Sequence, residues 1–138
     1  MSKSADAGLD PLFAAAKAAR ERAYAPYSRF LVGAAIRAPS GAIYCGCNVE
    51  NAAYPQGACA EAGAIAAMAL AGERKIVEIV VVGDGEDLCT PCGGCRQRIR
   101  EFADAETRIH VAGLAGVRAS FTLEDLLPLS FGPGHLGR

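Results

Sequence analysis

Apolar residues recur along the chain at two spacings, and these spacings predict an alternation of helices and strands. Near the N-terminus they repeat every three or four positions, which is typical of one face of a helix. Asp10 and Pro11 predict the start of that helix, with Asp10 as N-cap. Pro26 predicts that the helix ends before residue 26. The other predicted helices are residues 58–71, residues 92–102 and a short helix after Thr122, with Asp125 completing a capping box.

Strands are predicted where apolar residues alternate or run together between turn residues. Residues 76–82 form a nearly continuous β-branched run, which favours a strand covered on both faces. The other predicted strands are residues 30–37, 43–49, 107–112 and 117–121. The order α-β-β-α-β-α-β-β-α predicts an α/β fold with three layers, α/β/α, around a central mixed five-stranded sheet.

Length and composition limit the possible classes of protein. The 138 residues predict a single domain, 1–138, and 51% hydrophobic residues are sufficient for its core. A formal net charge of −1 argues against a nucleic-acid partner, which needs a basic surface, and agrees with a small neutral substrate. Neither a signal peptide after Met1 nor a membrane-spanning apolar run is visible. We therefore expect a soluble cytoplasmic protein with reduced cysteines and no membrane partner.

Two cysteine-containing segments carry the strongest chemical signal: C-A-E at 59–61 and P-C-G-G-C at 91–95. Both fall at predicted helix N-termini, where free N–H groups and the helix dipole favour thiolate over thiol. A zinc ion with three protein ligands keeps a fourth position for water, whereas a structural zinc closes it with a fourth side chain. The sequence thus predicts one catalytic zinc per chain, bound by Cys59, Cys92 and Cys95.

Glu61 is the predicted catalytic proton shuttle of this site. A glutamate in a first helical turn is commonly a surface residue stabilised by the dipole. Beside a three-thiolate zinc, its carboxylate can instead take a proton from metal-bound water, whose pKa the metal lowers toward about 7. It can then return protons to a ring nitrogen and a leaving amine. A C-x-x-C pair alone would equally suit a redox pair or half of a zinc ribbon, so the C-A-E segment favours catalysis.

Several motifs in one order resemble the small homotetrameric cytidine deaminases, which belong to the zinc-dependent cytidine/deoxycytidylate deaminase superfamily. The matching segments are 24–28 (YAPYS), 30–35, 48–51 (NVEN), 59–61, 91–97 and 126–128. The resemblance implies hydrolysis of cytidine and deoxycytidine to uridine and deoxyuridine plus ammonia, in pyrimidine salvage. A zinc-bound hydroxide would attack C4 while Glu61 moves the protons. It also implies a homotetramer with shared active sites.

The resemblance further implies which residues bind the nucleoside. Asn48 and Glu50 match residues that bind the ribose hydroxyl groups, and their i, i+2 spacing places them on one face of a strand end. Phe30 matches a position that stacks on the pyrimidine. The backbone N–H of Ala60 would hold the edge of the base.

Two aromatic residues are implied at a junction between subunits. Tyr54 matches a residue near that junction. Phe131 matches an aromatic residue of the C-terminal segment that reaches the site of a neighbouring subunit. If both matches hold, the active site is complete only in the oligomer.

The remaining cysteines and the histidines are not expected to bind the metal. Cys89 would extend the pair to C-x-x-C-x-x-C, but it lies before the predicted helix. Cys45 and Cys47 would share one strand face as small packed residues. His110 and His135 lack ligand spacing to the cysteines, and His110 lies in an apolar strand.

Ala62 departs from the family pattern, because bacterial members often have arginine there to offset the thiolate charge. Zinc with three thiolates carries a net charge of −1, which weakens its pull on water. Helix N–H groups and Arg96 are the candidates to offset that charge. With alanine at this position the chain is also similar to blasticidin S deaminases, so a modified-nucleoside deaminase stays open, although the segment 48–51 (NVEN) favours cytidine over that substrate. A non-catalytic zinc module is disfavoured by Glu61, and a polynucleotide deaminase by the absence of a basic patch.

Overall fold

The fold is described from a computed structural model for residues 3–138, with side chains from Gly8 onward. Met1 and Ser2, the first residues considered in the expectation about a signal peptide, lie outside the described residues. The helices are α1 (Lys3–Arg20), α2 (Ala60–Leu70), α3 (Gly93–Phe102) and α4 (Leu123–Leu126). The strands are β1 (Gly33–Arg37), β2 (Ile43–Cys47), β3 (Glu78–Val82), β4 (Arg108–Gly113) and β5 (Gly116–Thr122). Within residues 3–138, every helix is too short or too polar to cross a membrane.

The five strands form one mixed sheet in the order β2-β1-β3-β4-β5. Strands β3 and β4 are parallel, and the other three pairs are antiparallel. The parallel pair needs a crossover connection, and α3 supplies it. The predicted α/β fold with a mixed five-stranded sheet is confirmed, although the second predicted strand ends two residues early, at Cys47.

Helices cover both faces of the sheet and produce the predicted three layers. On one face, α1 packs on β1 and β3 through a buried cluster. That cluster consists of Leu9, Leu12, Ala16, Ala35, Val80, Val82 and Ala112. On the other face, α2 and α3 pack against the sheet through a second, larger cluster. Its buried residues include Ala34, Ile36, Ala64, Met68, Ile79, Val81, Ile99 and Ile109.

The prediction that the first helix begins at Asp10 and Pro11 is wrong. Helix α1 begins at Lys3 and contains Pro11 in its interior. Proline there has no N–H to donate to the preceding turn, which ordinarily favours a helix start. Leu9 nevertheless lies buried on the sheet, in line with Leu12 and Ala16 at helical spacing. Apolar contact on the N-terminal side of Pro11 therefore outweighs the missing hydrogen bond.

The sheet brings the starts of α2 and α3 to the same edge. Strands β2 and β3 flank β1 and both run antiparallel to it, so their carboxyl ends lie at the same edge of the sheet, on either side of the start of β1. Their last residues, Cys47 and Val82, are both register partners of Gly33. The chain leaves each of these ends through a loop and enters a helix that runs back over the sheet. In open α/β sheets, ligands bind outside such carboxyl ends.

Candidate metal centre and substrate cleft

Three cysteine sulfurs converge where α2 and α3 begin. Cys59 is the N-cap of α2, Cys92 is the N-cap of α3, and Cys95 lies in the first turn of α3. Their Sγ atoms all lie within 4.8 Å of one another, and those of Cys59 and Cys92 are 3.9 Å apart. Tetrahedral zinc with Zn–S bonds of about 2.3 Å places two sulfurs roughly 3.8 Å apart. The donor set and its spacing therefore fit one zinc ion.

The other thiols lie outside this three-sulfur cluster. Cys89 lines the same cleft, but its sulfur is not part of the cluster. Cys45 and Cys47 lie on β2. His110 is held by Ser120 Oγ and Glu78 Oε1, at 2.7 and 2.9 Å from its ring nitrogens. His110 is thus a structural residue, as predicted, whereas the prediction that Cys45 is a packed residue is wrong, because its side chain is exposed.

The three thiols differ in how readily they ionise in the metal-free protein. The backbone N–H of Cys95 lowers the pKa of Cys92, as expected for a sulfur at a helix N-terminus. Burial raises the pKa of Cys59 and of Cys95, and the nearby Glu61 carboxylate raises both further. Two of the three thiolates therefore need additional positive charge close by, which a divalent metal supplies.

Glu61 lies in the first turn of α2, with its carboxylate directed toward the cysteines. Its side chain is almost fully buried, with 4% exposure. Burial raises the pKa of Glu61, and the charge of Arg98 opposes that shift. A carboxyl group that holds a proton more readily than in water suits a residue that must both accept and return one.

Arg98 is a residue of the site that sequence reasoning missed. Its Nη1 donates a hydrogen bond to Cys95 Sγ over 3.4 Å, from one turn further along α3. Arg96, the cation considered from sequence, instead donates only to oxygen atoms, those of Pro91, Leu126 and Thr90. Through these hydrogen bonds Arg96 holds the segment before α3 in place and connects it to Leu126. The three-residue spacing from Cys95 was the available signal for Arg98.

A cleft of about 230 Å³ opens beside the cysteines. Its walls include four of the predicted site residues besides the metal ligands, namely Phe30, Asn48, Ala60 and Glu61. Ala60 is the first residue of α2, so its backbone N–H has no partner within the helix. An aromatic ring, a free N–H and a buried carboxylate consequently share one cleft with Cys59 and Cys92, two of the three clustered thiols.

Asn48 and Glu50 both hold the segment between α1 and β1, residues 27–32, which carries Phe30. Asn48 Oδ1 accepts from the Val32 N–H, and its Nδ2 donates to the Phe30 carbonyl, each over 2.8 Å. Glu50 Oε1 accepts from the Tyr27 and Ser28 N–H groups at 2.9 and 3.1 Å, and Ser28 Oγ donates to Oε2. These bonds with Ser28 lower the pKa of Glu50.

Within one chain, the remaining predicted substrate residues do not line the thiol cleft. Tyr54 and Glu50 line a second pocket of about 350 Å³, where Tyr54 meets Tyr27 edge-on with ring centroids 5.8 Å apart. Phe131 lies at a third pocket and stacks on His135 with centroids 4.9 Å apart. Gln97 Nε2 donates to the Phe131 carbonyl over 2.9 Å, which ties the C-terminal segment to α3.

Residues 9–111 match the family described as the cytidine and deoxycytidylate deaminase zinc-binding region. This match covers most of the chain and includes the three thiols that are placed to bind zinc. It places the chain in the class of zinc-binding deaminases. The chain belongs to the cytidine and deoxycytidylate deaminase family.

Individual relatives resemble the chain over nearly its whole length. A cytidine deaminase of Sporosarcina psychrophila is 43% identical over 123 residues, which are 89% of this chain and 90% of the relative. The crystal structure of a cytidine deaminase from Burkholderia pseudomallei is 41% identical, with a TM-score of 0.82 over 95% of this chain and 100% of the other. That from Mycobacterium tuberculosis is 36% identical, with a TM-score of 0.76 over 89% and 96%.

Proposed function

We propose that this chain is a zinc-dependent cytidine deaminase, which hydrolyses cytidine and deoxycytidine to uridine and deoxyuridine and releases ammonia. The observation that carries this proposal is the buried Glu61 carboxylate in one cleft with Cys59 and Cys92, which together with Cys95 form a cluster of three thiols spaced to bind a metal. Relatives named cytidine deaminase at 41–43% identity support it. The proposed role is pyrimidine salvage in the cytoplasm, where the six free thiols stay reduced.

Cys59, Cys92 and Cys95 would hold the metal, and Glu61 would move the protons. When bound, zinc supplies Lewis-acid activation of a water that attacks C4 of the base. Glu61 accepts the first proton from that water and donates it to N3 of the ring. It then accepts the second proton and delivers it to the amine, which leaves as ammonia. Both protons of the water are accounted for, and the product keeps a C4 carbonyl and an N3–H.

The predicted substrate residues, in the thiol cleft and beside it, would orient the nucleoside for this transfer. Phe30, which is 41% exposed in one chain, presents a ring on which the pyrimidine stacks. The free N–H of Ala60 binds the edge of the base. Asn48 and Glu50 bind the ribose hydroxyl groups and at the same time fix the segment that carries Phe30.

We also infer a homotetramer in which neighbouring chains complete each site, with residues 1–138 as a single domain. The cleft of one chain, at about 230 Å³, is smaller than the roughly 300–1,000 Å³ typical of ligand pockets. Tyr54 and Phe131 are 74% and 55% exposed, although both are large aromatic side chains. In the proposed assembly these rings cover sites of adjacent chains.

A second candidate is a deaminase of a modified nucleoside such as blasticidin S. Ala62 favours this candidate, because bacterial cytidine deaminases often have arginine at that position. Steady-state kinetics with cytidine, deoxycytidine and blasticidin S separates the two. We expect kcat/KM to be highest for cytidine or deoxycytidine. A higher value for blasticidin S would replace the proposed substrate while leaving the proton-transfer chemistry in place.

A further inference from the structure

Arg98 makes a direct contact with the metal centre that Arg96 does not make. Its guanidinium donates to Cys95 Sγ over 3.4 Å, and the Cys95 side chain is fully buried. The guanidinium also lies close to Gly94, where a Cβ would meet Nη1 at an ordinary contact distance of 3.5 Å. The arginine thus lies along the first turn of α3, with its charge beside a metal-ligating sulfur.

The zinc-loaded centre would carry excess negative charge, which a nearby cation can offset. Three thiolates and one divalent ion leave a net charge of −1, and the ionised Glu61 carboxylate adds another. Among the described residues, Arg98 is the cation that donates a hydrogen bond to a metal-ligating sulfur, and a hydrogen bond from a charged donor is stronger than one between neutral groups.

Arg98 and Ala62 each lie three positions after a metal-ligating cysteine, Cys95 and Cys59 respectively. Their places in the helices differ, because Cys59 is the N-cap of α2 whereas Cys95 lies within the first turn of α3. Residue 62 is alanine and carries no charge, so of these two positions only the one on α3 holds a cation.

We propose that Arg98 is the charge-balancing and positioning residue of the metal centre, a role that the uncharged Ala62 on α2 cannot fill. The inference rests on the proposed function, because it assumes that the three thiols hold zinc. By donating to Cys95 Sγ, Arg98 reduces the electron density on that ligand and fixes its rotamer. Partners of this kind tune metal affinity as well as ligand orientation.

Zinc release to a chromophoric chelator tests this proposal on the purified, zinc-loaded protein. We expect Arg98→Met to release zinc about tenfold faster than the wild type or more. Arg98→Lys should restore part of the retention, and Arg98→Met combined with Ala62→Arg should restore most of it. Arg100→Met is the matched control on the same helix, since Arg100 donates to Ser130 Oγ and not to sulfur; its release rate should equal the wild-type rate.

A second readout reports on the sulfur itself. In cobalt-substituted protein, loss of the hydrogen bond to Cys95 raises the energy of the sulfur lone pairs. The thiolate-to-cobalt charge-transfer band of Arg98→Met should therefore shift to longer wavelength, and Ala62→Arg should move it back. A fold defect alone would be rescued by neither Arg98→Lys nor Ala62→Arg.

Two results would overturn the proposal. The first is an unchanged zinc-release rate and cobalt spectrum in Arg98→Met. The second is a faster release that neither Arg98→Lys nor Ala62→Arg corrects, which would indicate a purely structural role. A wild-type protein that holds one zinc but does not turn over cytidine would refute the proposed function and leave this comparison valid. A wild type without zinc would overturn both.

Discussion

The Sγ atoms of Cys59 and Cys92 lie 3.9 Å apart, although 33 positions separate the two residues in the chain. The sheet creates this proximity, because β2 and β3 end at the same edge, on either side of β1, and each end leads into a helix. Each cysteine is the N-cap of its helix, at the positive end of the dipole. The metal centre thus depends on the relative placement of two helices, and any change that moves one of them should affect metal binding.

Removing one sulfur of the cluster should abolish zinc retention. We expect Cys92→Ser to reduce zinc affinity by more than the roughly 10–100-fold that loss of an outer-shell partner costs. Cys89→Ser is the matched control, since Cys89 lies three residues earlier and outside the three-sulfur cluster. Metal analysis after dialysis against a weak chelator measures the difference. Equal zinc loss from both variants would mean that Cys89 belongs to the ligand set.

Glu50→Gln should weaken nucleoside binding more than it slows chemistry. The amide keeps one acceptor oxygen but replaces the other with a donor, so one hydrogen bond to a ribose hydroxyl group is lost. Loss of a hydrogen bond to a charged group corresponds to a rise in KM of about 10–100-fold for cytidine, with a smaller change in kcat.

Free cytosine controls for an indirect effect of Glu50→Gln. Glu50 also accepts from the Tyr27 and Ser28 N–H groups and so holds the segment that carries Phe30. Cytosine lacks the ribose but stacks on the same ring. A loss of equal size with cytidine and with cytosine would show that Glu50 acts only through this segment.

Gly46→Ala should displace α2 and destabilise the fold. A Cβ at this position would lie 2.4 Å from the Ala60 carbonyl oxygen and 2.4 Å from the Ala64 nitrogen, which are backbone atoms of the helix that carries Glu61. Overpacking of this kind costs on the order of 1–3 kcal/mol. Chemical denaturation measures the loss, and zinc retention should fall with it. Gly134→Ala, where a Cβ meets nothing within 4 Å, should leave both unchanged.

Stability should depend on Glu78 in a defined pH range. The hydrogen bond with His110 is the main cause that lowers the pKa of Glu78 below its ordinary value of 4.5, and Arg37 lowers it further. Because folding lowers this pKa, ionised Glu78 stabilises the fold above about pH 4.5, and the contribution is lost as the pH falls through the lowered pKa.

The corresponding measurement compares thermal unfolding of the wild type and Glu78→Gln from pH 7 to pH 3. We expect a Tm roughly 2–4 °C lower for the variant at pH 7 and a difference that shrinks below about pH 4.5. Glu101→Gln, an exposed carboxylate on α3, serves as control. A Tm difference that is constant across the range would contradict the role of the ionised carboxylate.

Local signals in the sequence predict much of the sheet and the centre of the site. The β-branched run of residues 76–82 is sufficient for β3, and the C-A-E and C-x-x-C segments place cysteines at two helix starts. The start of α1 was not predictable in this way, because Asp10 and Pro11 form a local helix-start signal, while the burial of Leu9 before them is a tertiary contact.

At the site as well, local sequence signals do not predict tertiary contacts, and the contacts of Arg96 and Arg98 are an example. Arg96 lies four residues after Cys92, and Arg98 lies three residues after Cys95, so helical spacing alone allows either side chain to reach a sulfur. Arg96 donates hydrogen bonds to the backbone carbonyl oxygens of Pro91 and Leu126 instead of to a cysteine sulfur. Leu126 is 30 positions distant from Arg96 in the chain, and only the folded structure brings its carbonyl into range.

The most direct test of the account is the turnover of cytidine by zinc-loaded wild type and Glu61→Gln, followed by absorbance, with bound zinc measured in both. The amide cannot accept and return a proton, so we expect conversion to uridine by the wild type, a loss of at least about 100-fold in kcat for the variant, and one zinc per chain in each. Near wild-type turnover by Glu61→Gln, with zinc retained, would contradict the proposed role of Glu61.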